Sequence, residues 1–253
     1  MALQVYRCIY INASNGTREP DDRACFRTTE GADAATFTTA ADIILQSLGA
    51  DEVCSTHAAR QFTEQQQVVS WVRTSGIHLF SDEELGSWRV LSDKTSEHKV
   101  YFPEPGIRVF KVTWPGFYGQ IPCLNGGKLD RRSATPSEYL QRQALQNEVF
   151  ASDLRLEGVN ISDKPSMVIG EPSGQPCFVV SQTFYEAADE TVTTPDVQQV
   201  AEFMERFGFK QVPGTYFGWF READGVAVTD AKLDNFILTT GGVVPIDLQI
   251  AQV

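Results

Sequence analysis

No Cys-x-x-Cys pair occurs in this chain, and histidine is scarce. The five cysteines (Cys8, Cys25, Cys54, Cys123, Cys177) are scattered and odd in number, and His57, His78 and His98 never fall at ligand spacing from one another. That pattern argues against a structural zinc site or a disulfide framework, and the expected compartment is the reducing cytoplasm. Long apolar runs are missing as well: nothing approaches the roughly 20 residues a membrane helix needs. Arg7 interrupts the one apolar stretch near the start, residues 5–11, which alternates like a strand rather than reading as a signal peptide. A membrane is therefore not an expected partner. Basic clusters are absent too. Arg131-Arg132 is the sole adjacent basic pair in a chain of net charge -12, so no nucleic-acid partner is expected.

What is present is an ordinary apolar content in 253 residues, enough for one domain of two lobes or one domain with an extension. A strand is expected over residues 3–11 and a polar linker over 12–37. A short helix follows, capped at Thr38 or Thr39 and stopped by Gly49, and a second helix spans about 58–74. From residue 85 the texture changes to short β-rich segments at 87–91, 99–102 and 107–113, separated by turn residues that include Pro103, Pro105 and Gly106. A Pro/Gly-rich stretch (114–127) leads to a helix opening at Thr135-Pro136-Ser137-Glu138 and running to about Phe150. Strands at 154–159, 166–170 and 177–184, a helix at 194–207, and strands at 215–221, 226–229, 236–240 and 243–248 complete the order. The fold class is α+β, divided into an N-terminal accessory segment (1–84) and a main domain (85–253).

The chemistry concentrates near the C-terminal end. Asp230, Lys232 and Asn235 lie in one short segment, followed by an apolar run, Gly241-Gly242, a second apolar run and Asp247. If Gly241-Gly242 form a two-residue turn, Phe236 pairs with Asp247 and Asn235 lies beside that pair, with facing residues roughly 5 Å apart. Two carboxylates and an amide so gathered suit phosphoryl transfer, which needs oxygen ligands for magnesium and a carboxylate near the attacking hydroxyl. The same residues have plainer roles available: Asp230 as a turn cap, Asp247 as an edge-strand carboxylate. Upstream, Lys111 sits inside the apolar strand Arg108-Val-Phe-Lys-Val112, where a buried ammonium needs a partner. Its alternative is the solvent face. Glu138, one turn into the next helix, is the expected partner, with Glu148 in reserve.

These residues resemble the protein-kinase-like superfamily: Lys111 in Val-Phe-Lys, a helix glutamate, Asp230-x-Lys232-x-x-Asn235, and Ile-Asp247. Further wording is similar to the kinase-like domain of phage and mobile-element polyvalent proteins, over roughly residues 85–250: Glu97-His-Lys-Val-Tyr101, Pro136-Ser-Glu-Tyr-Leu140, Leu156-Glu-Gly158, Val180-Ser-Gln182 and Pro245-Ile-Asp247. The resemblance implies a minimal bilobal kinase-like fold, with an antiparallel N-lobe sheet carrying one helix and a reduced C-lobe. It implies ATP and Mg as cofactors. Lys111 would hold the α/β-phosphates and Glu138 orient it; Asp230 would position the acceptor hydroxyl and Lys232 the γ-phosphate. Asn235 and Asp247 would ligate magnesium. The strand and hinge carrying Val180, Gln182 and Phe184 would meet adenine. The acceptor would be a hydroxyl on a protein or a small molecule.

The chain departs from that pattern in several places. No Gly-x-Gly-x-x-Gly precedes Lys111, Thr229 stands where a protein kinase has Arg, and Leu248-Gln249 replace Phe-Gly. Six residues follow Asp247, which leaves no activation segment. Two further readings stand beside the kinase: a pseudokinase serving as a nucleotide-binding or protein-interaction module, and an unrelated α+β binding domain.

Overall fold

The computed structural model describes residues 34–48, 56–93, 97–166, 172–189 and 191–253. The strand expected over 3–11 lies outside them, as do most of the linker and most of the strand at 166–170. Among the described residues the protein is α+β, built on a six-stranded sheet and a four-stranded sheet with two separate hairpins. No helix among these residues is long and apolar enough to cross a membrane.

Helices α1 (Ala34–Gln46) and α2 (His57–Ser75) come first. Thr56 caps α2 by accepting from the Ala59 N–H, and Gly76, at φ 72°, ends it in the left-handed conformation. Next come β1 (His78–Phe80), α3 (Asp82–Gly86), β2 (Arg89–Ser92), β3 (His98–Phe102) and β4 (Arg108–Thr113). A hairpin of β5 (Gln120–Asn125) and β6 (Lys128–Ser133) precedes α4 (Pro136–Phe150), and β7 (Arg155–Ile161) and β8 (Pro176–Thr183) follow it. The large sheet runs β1-β7-β8-β4-β3-β2. All its pairs are antiparallel except β1 on β7. That parallel pair comes close because Gly158 lacks a Cβ, which would lie 2.2 Å from the His78 carbonyl oxygen.

Register assigns the two faces of this sheet. Val100, Lys111 and Val180 stand opposite one another across β3, β4 and β8, as do Val109 and Gln182. With side chains alternating along each strand, one face carries His98, Val100, Val109, Lys111, Phe178, Val180 and Gln182. Onto it pack Tyr139 and Leu140 of α4 and Phe37, Ile44, Val68 and Trp71 of the first two helices, in one buried cluster. Residues on both sides of position 84 therefore share a core. Helix α2 is also tied to α4 directly, through a fully buried Glu64 that accepts from the Ser137 N–H at 2.8 Å and from Arg60 at 2.7 Å. The opposite face is aromatic, with Phe80, Trp88, Tyr101 and Phe110 around Val112 and Val179.

The remainder forms a second core. Helix α5 (Val197–Arg206) is capped by Asp196, which accepts from the Gln199 N–H. It packs Val200, Phe203 and Met204 against β10 (Trp219–Arg221), β11 (Val226–Thr229) and β14 (Gln249–Gln252), whose sheet is completed by β9 (Lys210–Gln211). Between β11 and β14 lie a 3-10 turn at Leu233–Asn235 and the hairpin of β12 (Phe236–Thr239) and β13 (Gly242–Pro245).

Several sequence expectations are corrected here. The strand expected over 215–221 shortens to β10, and the one over 243–248 divides at residues 246–248 into β13 and β14. The Pro/Gly-rich stretch at 114–127, given no strand from the sequence, contains β5, which pairs with β6 around a Gly126-Gly127 turn with φ of 58° and 76°. Asn125-Gly-Gly-Lys128 is a signal for such a turn; Pro122 within the strand obscures it. The C-terminal hairpin turns one residue earlier than expected. Thr239 pairs with Gly242, so Thr240-Gly241 form the turn and Phe236 faces Pro245 rather than Asp247. The Thr239 hydroxyl fixes that turn, accepting from the Gly241 N–H at 3.1 Å and donating to the Gly242 carbonyl at 2.9 Å.

Candidate functional site

Lys111 does not face solvent. It is 9% exposed, on the helix-covered face of the sheet, and its Nζ donates to the carbonyl oxygen of Ile246. The contact joins the large sheet to the corner between β13 and β14. Burial pulls the ammonium below its ordinary pKa, and the neighbouring Asp247 carboxylate opposes that pull.

Asp247 occupies the same corner with 32% of its side chain exposed. Its position follows from the hairpin: Pro245 ends β13, and the Ile246 N–H then donates to the Asn235 carbonyl at 2.9 Å, turning the next residue toward the sheet. Burial alone would raise the Asp247 carboxyl. Lys111 foremost, with His98, Arg142 and Lys232, outweighs it and holds the group below the carboxylate range. His98 Nδ1 lies 4.0 Å from Asp247 Oδ1, and its Nε2 is hydrogen-bonded to the Tyr139 hydroxyl at 3.0 Å. Burial lowers His98 to about 4, so the imidazole is neutral near pH 7.

The Asp230–Asn235 segment forms the other wall. Asn235 is buried and donates from Nδ2 to the Asp230 carbonyl at 2.6 Å and to Asp230 Oδ2 at 3.2 Å. Lys232 Nζ reaches Asp230 Oδ1 at 2.5 Å, and Arg131, from β6, approaches the same oxygen at 3.6 Å. Asp230 itself has φ 63°. A non-glycine residue in that left-handed region costs on the order of 1–2 kcal/mol, held here by the bonds that Asn235 and the loop make to it.

Beneath these residues lies a buried ion pair. Arg142 of α4 has a side chain 1% exposed. It donates from Nη1 to Glu97 Oε2 at 3.1 Å and to the Gln120 carbonyl at 2.9 Å, and from Nη2 to Glu97 Oε1. Its guanidinium also lies over the Tyr139 ring, 5.0 Å from the centroid. Gly119 makes room for Glu97: a Cβ there would sit 2.1 Å from the carboxylate. Glu97, His98 and Asp247 bring one ligand atom each within 4.8 Å of one another, yet the bidentate grip of Arg142 already supplies Glu97 with its counter-charge.

Lys111, Asp230, Lys232, Asn235 and Asp247 thus gather at one place. Glu138 does not join them. It accepts from the Thr135 N–H at 3.0 Å and pairs with Arg132 at 2.7 Å, so it serves the start of α4 and not Lys111. A residue in the first helical turn is well placed to bond the free N–H groups there. Among the adenine candidates, Val180 is buried in the core under the helices. Gln182 and Phe184 lie nearer the C-terminal hairpin: Gln182 Nε2 donates to the Pro245 carbonyl at 3.3 Å, and Phe184 packs with Val100, Val109, Ile237 and Ile246.

Sequence reasoning gave no site role to Glu97, His98, Arg131, Tyr139 or Arg142. The usable signal was the unbroken helix spacing Tyr139-x-x-Arg142, which puts an arginine on the apolar face of α4. Compared with known proteins, the chain matches no family model, no curated protein and no solved structure.

The donors present suit a hard divalent cation and a polyphosphate. Asp247 offers carboxylate oxygens and Asn235 an amide oxygen, and neither Cys123 nor Cys177, the described cysteines, is among the site's contacts; oxygen ligands are what magnesium takes. Lys111, Lys232 and Arg131 are the cations at hand for phosphate oxygens.

Proposed function

We propose that the chain is an ATP- and Mg-dependent phosphotransferase of kinase-like architecture, transferring the γ-phosphate to a hydroxyl of a protein or a small molecule. The observation that carries the reading is Lys111. A lysine buried inside β4 reaches a hairpin corner more than a hundred residues away in sequence, and the carboxylate beside it is the one the resemblance implies as a metal ligand. Three antiparallel strands, a helix, and two strands that rejoin the sheet beside the third support it as the layout of a kinase N-lobe. Its two-lobed form rests on the second core built around α5 and β14.

In this reading Lys111 holds the α/β-phosphates, and Asp247 with Asn235 holds the metal. Bound magnesium would neutralise charge on the phosphate oxygens. Asp230 orients the acceptor hydroxyl and Lys232 steadies the transferred group. The cation-lined site keeps Asp247 ionised, as a ligand must be. The likeness to the kinase-like domain of phage and mobile-element polyvalent proteins belongs to the same proposal.

One observation favours a second reading, a pseudokinase that binds nucleotide and turns over poorly. Glu138 is committed to Arg132, so Lys111 lacks the helix carboxylate that would orient it.

The test combines calorimetric binding of Mg·ATP with transfer of label from γ-labelled ATP to candidate hydroxyl acceptors. Wild type is run beside Asp247→Asn and Asp230→Asn, with circular dichroism to verify folding. Binding and transfer in wild type, with transfer lost in both variants, supports the enzyme. Binding without transfer supports the pseudokinase. A folded wild type that binds no Mg·ATP refutes both.

A further inference from the structure

The hairpin of β5 and β6 lies in sequence between the strand of Lys111 and helix α4. Contacts on both faces fix it. On one face of β6, Arg132 is gripped by the two carboxylate oxygens of Glu138 at 2.7 and 2.8 Å. On the other, Leu129 packs against the turn before β10, where a Cβ on Gly218 would stand 3.1 Å from Leu129 Cδ2. That turn is tied to the Asp230 loop, since the Phe217 carbonyl accepts from the Ala231 N–H at 3.2 Å. Side chains alternate along a strand, so Arg131 shares the face of Leu129 and points the same way.

Arg131 is not committed as Arg132 is. Its side chain is 46% exposed, and Nη1 stops 3.6 Å from Asp230 Oδ1, beyond the roughly 2.7–2.9 Å of a formed charge-assisted hydrogen bond. Asp230 is the fixed member of the group. Its backbone is left-handed, and Asn235 donates both to its carbonyl and to Oδ2. Lys232 Nζ, 2.5 Å from the same Oδ1, already gives the carboxylate a counter-charge. Two long, half-exposed cations therefore converge on one oxygen, and the second is surplus to neutralising it. Ion pairs at such exposure contribute little. A terminal phosphate beside Asp230, with several oxygens to offer a planar guanidinium fork, would draw Arg131 away.

Resting on the nucleotide reading above, we propose that Arg131 recognises the γ-phosphate, resting on Asp230 in the free protein and moving to the phosphate oxygens when a nucleoside triphosphate binds. Lys111 holds the phosphates that ATP and ADP share. Arg131 makes the site distinguish the two, because a diphosphate ends short of the guanidinium and leaves it on Asp230.

Calorimetry of Mg·ATP and Mg·ADP binding tests this on wild type, Arg131→Met, Arg131→Lys, Asp230→Asn and Asp230→Asn/Arg131→Met, with circular dichroism to verify folding. Wild type should prefer ATP by about tenfold, the equivalent of one charge-assisted hydrogen bond. In Arg131→Met the preference should shrink to within about threefold through weaker ATP binding alone, ADP affinity staying within about twofold. Arg131→Lys, which keeps the charge without the fork, should fall between. Asparagine tolerates the left-handed backbone and removes the charge that competes for Arg131. Asp230→Asn should therefore bind ATP about threefold more tightly, a gain largely lost in the double variant. Three results overturn the inference and leave the nucleotide site standing: equal wild-type affinities for ATP and ADP, a preference for ATP that survives in Arg131→Met, or an Asp230→Asn gain that survives the loss of Arg131. A wild type that binds neither nucleotide refutes the nucleotide reading itself and this inference with it.

Discussion

Replacing Arg142 by methionine strands the Glu97 carboxylate inside the protein. Arg142 supplies three hydrogen bonds, two to Glu97 and one to the Gln120 carbonyl, from a side chain 1% exposed. Water cannot replace them at that depth. Removing one partner of a buried ion pair typically costs about 3–5 kcal/mol, while replacing both by well-packed apolar groups is often neutral. Arg142→Met should therefore lose about 4 kcal/mol, and the double variant Glu97→Met/Arg142→Met should recover at least half of that loss. With a urea slope of about 2 kcal/mol per molar, the single substitution lowers the denaturation midpoint by about 2 M. Equilibrium urea unfolding followed by tryptophan fluorescence provides the assay. The reasoning is refuted if the single variant costs under about 1 kcal/mol, or if the double variant is no more stable than the single.

Three other outcomes follow from particular contacts. Gly119→Ala should destabilise by about 2 kcal/mol in the same assay. The position has φ 74°, and the added methyl meets a carboxylate that Arg142 prevents from moving away. Glu138→Ala should cost about 1–2 kcal/mol through the lost cap and the lost Arg132 pair, yet leave Mg·ATP affinity within about twofold; a tenfold loss would restore the pairing with Lys111. For pH, His98 sits near 4 in the folded protein against 6.5 when exposed, so between those values the unfolded chain binds the extra proton. Stability is then full above about pH 6.5 and falls by roughly 3 kcal/mol in total as the pH drops to 4. Metal-free wild type unfolded by urea at pH 7.5 and 4.5 should show most of that loss, and His98→Gln should show much less; parallel pH profiles would disprove the assignment.

The α+β class and most element positions were legible from local signals. Thr135-Pro136-Ser137-Glu138 started α4, the helix expected over 194–207 is α5 with its start moved to Val197, and the β-rich run at 107–113 gave β4, because caps and alternation act over a few residues. Short or irregular pieces escaped: β1 has three residues and pairs in parallel with a strand about eighty positions on, so nothing near it in the chain announces it. The site divided in the same way. Lys111, Asp230, Lys232, Asn235 and Asp247 were legible as residue types at telling spacings. Their partners were not, since a side chain's partner depends on which face it takes and what arrives there. Glu138 was named as the partner of Lys111, and the free N–H groups at the start of α4, together with Arg132, took it instead.

By itself, then, the sequence determined that an acidic α+β chain carries a lysine inside an apolar strand and a cluster of carboxylate, amide and lysine groups near its C-terminal end. Only the tertiary structure decided that a one-residue shift in the Thr240-Gly241 turn moves Asp247 off the hairpin and into the corner whose Ile246 carbonyl Lys111 reaches. It also decided that Arg142, not a helix glutamate, is the charge on α4 that meets the sheet. The physical reason is range. Caps, turns and alternation are written in neighbouring residues, whereas desolvation forces a buried charge to take whatever counter-charge the packing of distant elements delivers.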